Sequence, residues 1–183
     1  MDADREAHLE AVLAETVEPL RRFLARRTDT ATAEDVLSET LLVCWRRRED
    51  LPVAPGEALP WAYAVARFCL ANAERSARRR ARLQAKVAAS GAAPRRGPSL
   101  TTPEQARLAD ALAALGEDDA EVLRLWAWEQ LTPAEIGTVL GVSGNAAGVR
   151  LHRARARLRE KFEQGGKTPA GPGHERAREG RKP

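Results

Sequence analysis

The chain has 183 residues, a formal net charge of +4 and only 4% aromatic residues. Helix-forming alanine, leucine and arginine are frequent, and no run of β-branched residues is bounded by turn signals. The sequence therefore predicts an all-α fold and excludes a sheet protein. No segment has the apolar length that a bilayer crossing requires, and the acidic start at 1–4 does not resemble a signal peptide. We expect a cytoplasmic protein with no membrane insertion.

Three helices are predicted in the first half of the chain. Apolar side chains recur at helical spacing over 5–27, where Pro19 predicts a kink or a break. A second helix is expected over 32–47, capped by Thr32, and a proline-rich loop follows it. The third helix begins near Trp61 and continues into a run of arginines.

Charge is unevenly distributed in this half. Residues 75–96 hold eight basic side chains and no acidic one, which indicates either a polyanionic partner or a solvated, arginine-rich helix end. The second helix carries Glu34, Asp35 and Glu39, whose charges would be repelled by a nucleic-acid backbone. That helix is either a plain solvated face or a docking site for a protein.

The aromatic residues leave two interpretations open. Trp61, Tyr63 and Phe68 share the third helix with arginines, a mixture that suits stacking on unpaired bases, although core packing explains them nearly as well. Trp126 and Trp128 are two positions apart and cannot share a helix face, so we expect one of them in the core.

Composition divides the chain into four parts. We expect a first domain over 1–86, a flexible linker rich in Gly, Pro and Ser over 87–102, a second domain over 103–163, and a disordered basic tail over 164–183.

The second domain contains the pattern of a helix–turn–helix. Thr132 and Glu135 have the spacing of a capping box, and Gly141 ends the helix that they open. Ser143 can cap the next helix, and Gly137 removes a side chain where that helix must approach closely. A capped short helix, a tight glycine turn and a basic second helix predict DNA binding.

Helical spacing separates two faces of the last helix. The apolar stripe Ala147, Leu151, Ala154 and Leu158 is expected to pack inward. The outward and flanking residues are expected to bind DNA, those near the helix start at base edges and the flanking arginines at phosphates. They are Asn145, Val149, Arg150, His152, Arg153 and Arg157. An amphipathic helix that only closes a bundle is the alternative.

Catalytic chemistry is not predicted. Cys44 and Cys69 lie among apolar neighbours without CxxC spacing and are expected to be reduced core residues. Three histidines and two cysteines form no nucleophile–base set or metal-ligand cluster, and no glycine-rich phosphate loop occurs. We expect neither an enzyme nor a metal or cofactor site.

Three collinear segments resemble the extracytoplasmic-function (ECF) sigma factors. The segment 32–47 (TAEDVLSETLLVCWRR) is similar to the family's polymerase-clamp-binding helix. The segment 59–80 (LPWAYAVARFCLANAERSARRR) is similar to its −10 element helix, and 120–162 to its −35 element domain, sigma region 4. The resemblance implies a sigma factor that binds core RNA polymerase, recognises both promoter elements and aids strand opening.

The resemblance also implies partners and residue roles. Asp35, Ser38 and Glu39 would dock on the clamp helices of the largest polymerase subunit, and the second domain on the flap of the second-largest. The loop 48–60 would capture a flipped base. Promoter DNA at the −10 element would be held by Trp61, Arg67, Asn72, Arg75, Arg78 and Arg79. The free protein would be a monomer, and the resemblance leaves open whether an anti-sigma factor binds it.

Two features qualify these expectations. Gly148 stands where many relatives carry a polar residue, so base reading is expected to rely on Asn145, His152 and Arg153.

The alternative function is a helix–turn–helix regulator that binds an operator without docking on polymerase. This alternative would leave both charged helices of the first domain unexplained.

Overall fold

A computed structural model of the chain describes residues 2–54, 56–85 and 102–165. Within these ranges the fold is all-α, as predicted, and no strand occurs. The expected linker, apart from Thr102, and the expected tail from residue 166 onward lie outside the described residues.

The first helical group consists of α1 (Asp2–Ala25), α2 (Thr30–Arg46) and α3 (Ala58–Ala85), with a 3₁₀ turn at Arg48–Asp50 after α2. Pro19 lies inside α1 without dividing it into two helices. The predicted cap of α2 is wrong, because Asp29 and not Thr32 occupies the N-cap. The Asp29 carboxylate accepts hydrogen bonds from the Thr32 backbone N–H at 3.3 Å and from its hydroxyl at 2.9 Å.

The three helices pack on one another around a buried apolar core. Phe23 of α1 stacks on Tyr63 of α3, with ring centroids 4.9 Å apart. Cys44 and Cys69 are buried and free, as predicted. Burial, with a contribution from Cys69, raises the pKa of the Cys44 thiol to about 12. A thiol held neutral in this way is a poor nucleophile, which fits a structural role.

The second helical group consists of α4 (Pro103–Ala113), α5 (Glu117–Ala127), α6 (Pro133–Leu140) and α7 (Gly144–Gly165). Two complete capping boxes open α4 and α6, formed by Thr102 with Gln105 and by Thr132 with Glu135. Each box satisfies backbone donors that a helix start leaves without partners. The tail was expected to begin at 164, but α7 continues through Gly165.

The turn between α6 and α7 depends on two glycines. Gly141 caps α6 in the left-handed conformation, with φ 68° and ψ 34°, which side chains with a Cβ rarely adopt. A Cβ added to Gly137 would lie 2.8 Å from the Val142 carbonyl oxygen and 3.0 Å from the Gly144 nitrogen. Ser143 then caps α7 by accepting a hydrogen bond from the Ala146 N–H at 3.1 Å. This close packing fixes the direction of α7 against α6.

Helix α6 packs on α7 and also on α3 of the first helical group. The two helical groups are therefore in direct contact, in an arrangement that local sequence patterns did not define.

Candidate nucleic-acid and polymerase interfaces

The predicted DNA-reading face of α7 is exposed. Ala147, Leu151 and Ala154 are buried as predicted. Asn145, Val149 and His152 recur at helical spacing on the opposite side and are all exposed. We call these three residues the α7 stripe. A row of side chains at the start of a helix that leaves a tight turn is the geometry with which a recognition helix enters a major groove.

The arginines predicted to flank this stripe differ in their surroundings. Arg153 is exposed beside the stripe, whereas Arg150 is half-buried. Arg157 forms an ion pair with Asp119 of α5. Of the three, Arg153 is the one whose position beside the stripe leaves it most accessible to a phosphate.

Helix α3 places the second set of predicted DNA-binding residues on two different faces. Trp61, Asn72, Arg75 and Arg79 recur at spacings of whole helical turns along one face. The Arg75 guanidinium donates to the Asn72 side-chain oxygen at 2.5 Å, which aligns two polar groups along that face.

Phe68 lies in the middle of the same face and was not among the residues predicted to hold the −10 element, although stacking on a base was left open for it. Its side chain is 59% exposed, whereas Tyr63 is buried and Trp61 is half-buried. The sequence offered a signal for Phe68, since it lies four and seven residues before Asn72 and Arg75. We call Trp61, Phe68, Asn72, Arg75 and Arg79 the α3 stripe.

Arg67 and Arg78 lie on a neighbouring face of α3, about a quarter of a turn from the stripe. Together with Leu70, Ala71 and Glu74 they line a cleft of about 620 Å³, whose opposite wall is formed by α5. The facing residues include Glu117, Asp118 and Glu121. We call this space the α3–α5 cleft.

The residues predicted to bind polymerase are exposed together on α2. Asp35, Ser38 and Glu39 share one face of the helix, as their spacing requires. Leu42, which is 56% exposed, and the exposed Trp45 continue this face and were not predicted. A surface that combines carboxylates with exposed large apolar side chains fits a protein partner better than a nucleic acid.

An apolar groove of about 550 Å³ lies between α4, α5 and α7. Its walls include Leu108, Leu123, Trp126, Leu158 and Phe162. Arg107 lies over the Phe162 ring at 4.6 Å, and Arg155 lies over the Trp126 ring at 4.7 Å. Cations above aromatic faces keep the groove rim polar while its floor stays apolar.

The expectation that one of two tryptophans lies in the core is wrong. Trp126 is 40% exposed at the groove and Trp128 is 41% exposed. Trp128 has the Arg26 guanidinium 5.8 Å above its ring. Both rings therefore belong to surfaces, and the core of this group is built from aliphatic residues.

Within the described residues, no group of three or more histidine, cysteine, aspartate or glutamate side chains is placed to hold a metal ion. No helix in those same ranges is both long and apolar enough to cross a membrane.

Comparison with known proteins agrees with this geometry. The family described as Sigma-70, region 4 matches residues 105–158. The ECF RNA polymerase sigma factor SigL of Mycobacterium tuberculosis is 32% identical over 174 residues, which cover 91% of this chain and 95% of SigL. The RNA polymerase sigma factor CarQ of Myxococcus xanthus is 36% identical over 148 residues, covering 75% and 79% of the two chains.

A solved structure shares the fold. The sigma factor RpoE, crystallised in complex with the anti-sigma factor NepR from Bartonella quintana, aligns with a TM-score of 0.59. The alignment covers 87% of this chain and 97% of RpoE, at 21% sequence identity.

The helix–turn–helix, the matched region and the similarity to SigL over most of both chains define a sigma-type transcription factor. The chain belongs to the ECF family of RNA polymerase sigma factors, which direct transcription initiation.

Proposed function

We propose that this chain binds core RNA polymerase in the cytoplasm, directs it to promoters with −10 and −35 elements, and aids strand opening without catalysing a reaction itself. The observation that carries the proposal is the exposed, partly apolar and acidic face of α2. An operator-binding regulator would have no use for such a face.

Asp35, Glu39 and Leu42 would form the centre of the contact with the clamp helices. The carboxylates provide charge complementarity, which speeds association, and the burial of Leu42 and Trp45 provides affinity. The Ser38 hydroxyl already donates its hydrogen to the Glu34 carbonyl oxygen, at 3.0 Å. Ser38 would therefore contribute to docking through its small size and not as a hydrogen-bond donor.

The apolar groove between α4, α5 and α7 would receive the flap of the second-largest subunit. Its exposed Leu108 and Trp126 suit an apolar helix or loop laid along the groove. The groove and the α7 stripe lie at different ends of α7, since the groove is lined by residues 155–162 of this helix whereas the stripe spans residues 145–152. Polymerase docking and DNA reading are thus compatible.

The α7 stripe would read the −35 element. Asn145 and His152 offer donors and acceptors to base edges, and Val149 offers an apolar contact to a thymine methyl. Arg153, exposed beside the stripe, can donate to a base edge or to a phosphate.

The α3 stripe would hold the −10 element. Arg75 and Arg79 would bind phosphates, Asn72 would bond to a base edge, and Phe68 would stack on an unpaired base. The segment between α2 and α3 would accept a flipped base, the unstacking cost being offset by contacts in that segment and on the stripe.

An anti-sigma factor is a further proposed partner, because RpoE was solved with one bound. We propose that the free chain is a monomer, and that such a factor would cover the α2 face or the groove and so compete with polymerase.

The test is a pull-down with core RNA polymerase that compares the wild type with Glu39→Arg and Asp110→Arg. Both variants reverse one exposed carboxylate, but Asp110 lies on α4 outside the proposed contacts. We expect stoichiometric binding of the wild type and Asp110→Arg, and at least tenfold weaker binding of Glu39→Arg. If core polymerase is not bound while duplex DNA is, the sigma proposal fails and the operator-binding alternative remains.

A further inference from the structure

An ion pair joins the DNA-reading helix α7 to the first turn of α5. The Arg157 guanidinium donates to the Asp119 carboxylate. These residues are 38 positions apart, and the packing of α5 on α7 brings them together. The Arg157 side chain is 59% exposed, whereas the Asp119 side chain is only 13% exposed. The carboxylate therefore lies behind the guanidinium, and the guanidinium faces the solvent.

Asp119 is held in place by its own helix. Gly116 is the N-cap of α5, and its carbonyl oxygen accepts a hydrogen bond from the Asp119 N–H at 3.0 Å. A carboxylate in the first turn of a helix is stabilised by the positive end of the helix dipole. The next residues, Ala120 to Leu123, are all buried. Asp119 is thus a fixed acceptor on an element that is anchored in the core.

Arg157 lies on one flank of α7, beside the α7 stripe. Arg150 and Arg153 precede it by seven and four positions, which places the three arginines within about 60° of one another around the helix. On the opposite flank, Arg155 lies over the Trp126 ring at the apolar groove. A recognition helix in the major groove reads bases with its front and meets phosphates along its flanks. The Arg157 flank is the one that carries several arginines outside the groove.

The ion pair leaves Arg157 able to bind a phosphate. A guanidinium carries five N–H donors in a rigid fork, more than one carboxylate oxygen can use. A long, exposed arginine loses rotamer freedom when it binds, and one that is already ordered loses less. The Asp119 charge does repel a phosphate, but a phosphate on the solvent side meets the guanidinium first. Ordering of Arg157 therefore outweighs the repulsion.

We propose that Asp119 is a positioning residue for promoter recognition. It orders Arg157 on the flank of α7, and Arg157 donates to one phosphate of the −35 element. Asp119 itself does not touch DNA. Because phosphate contacts fix the register of a recognition helix, the pair also aligns the α7 stripe with its bases. This inference rests on the proposed −35 role of the stripe.

The test measures how the loss of one phosphate charge changes promoter binding. The wild-type holoenzyme selects a duplex from a random-sequence library, and each phosphate of the −35 region is replaced in turn by an uncharged methylphosphonate. Binding of each modified duplex is compared with binding of the unmodified one. At one position the wild type should bind about tenfold more weakly or worse, as expected for a lost hydrogen bond to a charged group. Arg157→Gln should change there by less than about twofold.

Three variants at the start of α5 separate ordering from charge. Asp119→Ala should weaken by less than about threefold at the same position, because Arg157 is no longer ordered. Asp118→Ala removes the same charge from an exposed neighbour in the first turn and should behave as the wild type. Asp119→Asn keeps an oxygen that accepts from Arg157 and should keep most of the wild-type effect. Circular dichroism checks that all variants keep their helices.

An effect of the methylphosphonate in Asp119→Ala that equals or exceeds the wild-type effect would overturn the proposal. A purely structural role of Asp119 would give the first of these results, since it would weaken binding of every duplex evenly. The larger effect would show that Asp119 keeps Arg157 away from DNA. If the wild-type holoenzyme selects no duplex, the proposed function fails together with this inference. If it selects one and only the Asp119→Ala result disagrees, the proposed function stands.

Discussion

At the scale of single residues, Phe68 shows how exposure separates two roles that sequence could not. From sequence, stacking on bases and packing in the core explained Trp61, Tyr63 and Phe68 about equally well. In the fold, Tyr63 is buried against Phe23, whereas Phe68 is accessible. A phenylalanine as exposed as Phe68 on the α3 stripe gains little by packing on the protein. It can gain roughly 1–3 kcal/mol by stacking on a base.

Phe68→Ala should therefore weaken binding of the polymerase holoenzyme to a fork-junction promoter with an unpaired −10 strand by roughly 5- to 150-fold. Phe68→Tyr keeps the ring and should bind within about twofold of the wild type. The duplex −35 element, tested alone with the chain, should be bound equally by all three proteins. Thermal unfolding should not change, and equal losses in the alanine and tyrosine variants would rule out stacking.

At the scale of elements, the helix–turn–helix was the part of the chain most readable from sequence. The capping box at Thr132, the stop at Gly141 and the cap at Ser143 all form as predicted. Their partners lie within a few residues along the chain, so local sequence is sufficient to specify them. The wrong prediction for the N-cap of α2 also concerns local sequence. Asp29 and Thr32 are both suitable N-cap residues three positions apart, and the Asp29 carboxylate is the stronger acceptor.

Two glycines of this element should respond to alanine in opposite ways. At Gly137 the added Cβ meets three backbone atoms within 3.1 Å, and backbone cannot move aside cheaply. Gly148 has only the Pro133 Cβ near it, at 3.6 Å, which is ordinary contact. Gly137→Ala should lower the free energy of unfolding by about 1–3 kcal/mol. Gly148→Ala should raise it by up to about 1 kcal/mol, because alanine favours the helix.

Urea unfolding followed by circular dichroism measures both changes, and each variant serves as the control for the other. If Gly137→Ala and Gly148→Ala lowered the free energy of unfolding equally, the close contact at Gly137 would not be the cause of the loss. Gly148→Ala also tests the expectation that Gly148 does not read bases, although many relatives carry a polar residue at this position. Binding of this variant to the −35 element should stay within a few-fold of the wild type.

At the scale of the whole molecule, sequence could not supply the contact between the helical groups. Arg27, in the turn between α1 and α2, donates to Glu129, beyond α5, at 3.0 Å. The two residues are 102 positions apart, and no pattern near either one identifies the other. Sequence could not place Arg67 and Arg78 in a cleft for the same reason, because only the docking of α5 distinguishes their face of α3 from the α3 stripe. The surfaces of α2 and α7 were predictable because each lies on one helix, whereas the cleft requires two distant segments.

The two helical groups should also differ in their response to alkaline pH. Burial raises the pKa of Cys44 from 9.0 to about 12 and that of Tyr63 from 10.0 to about 12, and it also raises the pKa of Cys69. All three groups pack in the core of the first helical group. In the unfolded chain they ionise near pH 9–10, while the folded chain keeps them neutral. Their stabilising effect is thus complete below about pH 9 and is lost as pH rises toward 12.

The loss from Cys44 alone should be on the order of 2 kcal/mol at pH 10.5. Calorimetry of the full chain should show one transition at pH 8 that separates into two at pH 10.5, as the first helical group melts earlier. Arginines stay charged throughout this range, so the ion pairs of Arg27 persist and cannot cause the separation. In Cys44→Ala the absolute stability falls because a cavity forms, but its slope with pH should be shallower than that of the wild type. An equal slope would mean that the thiol already ionises in the folded state, and that the core around α2 and α3 admits water.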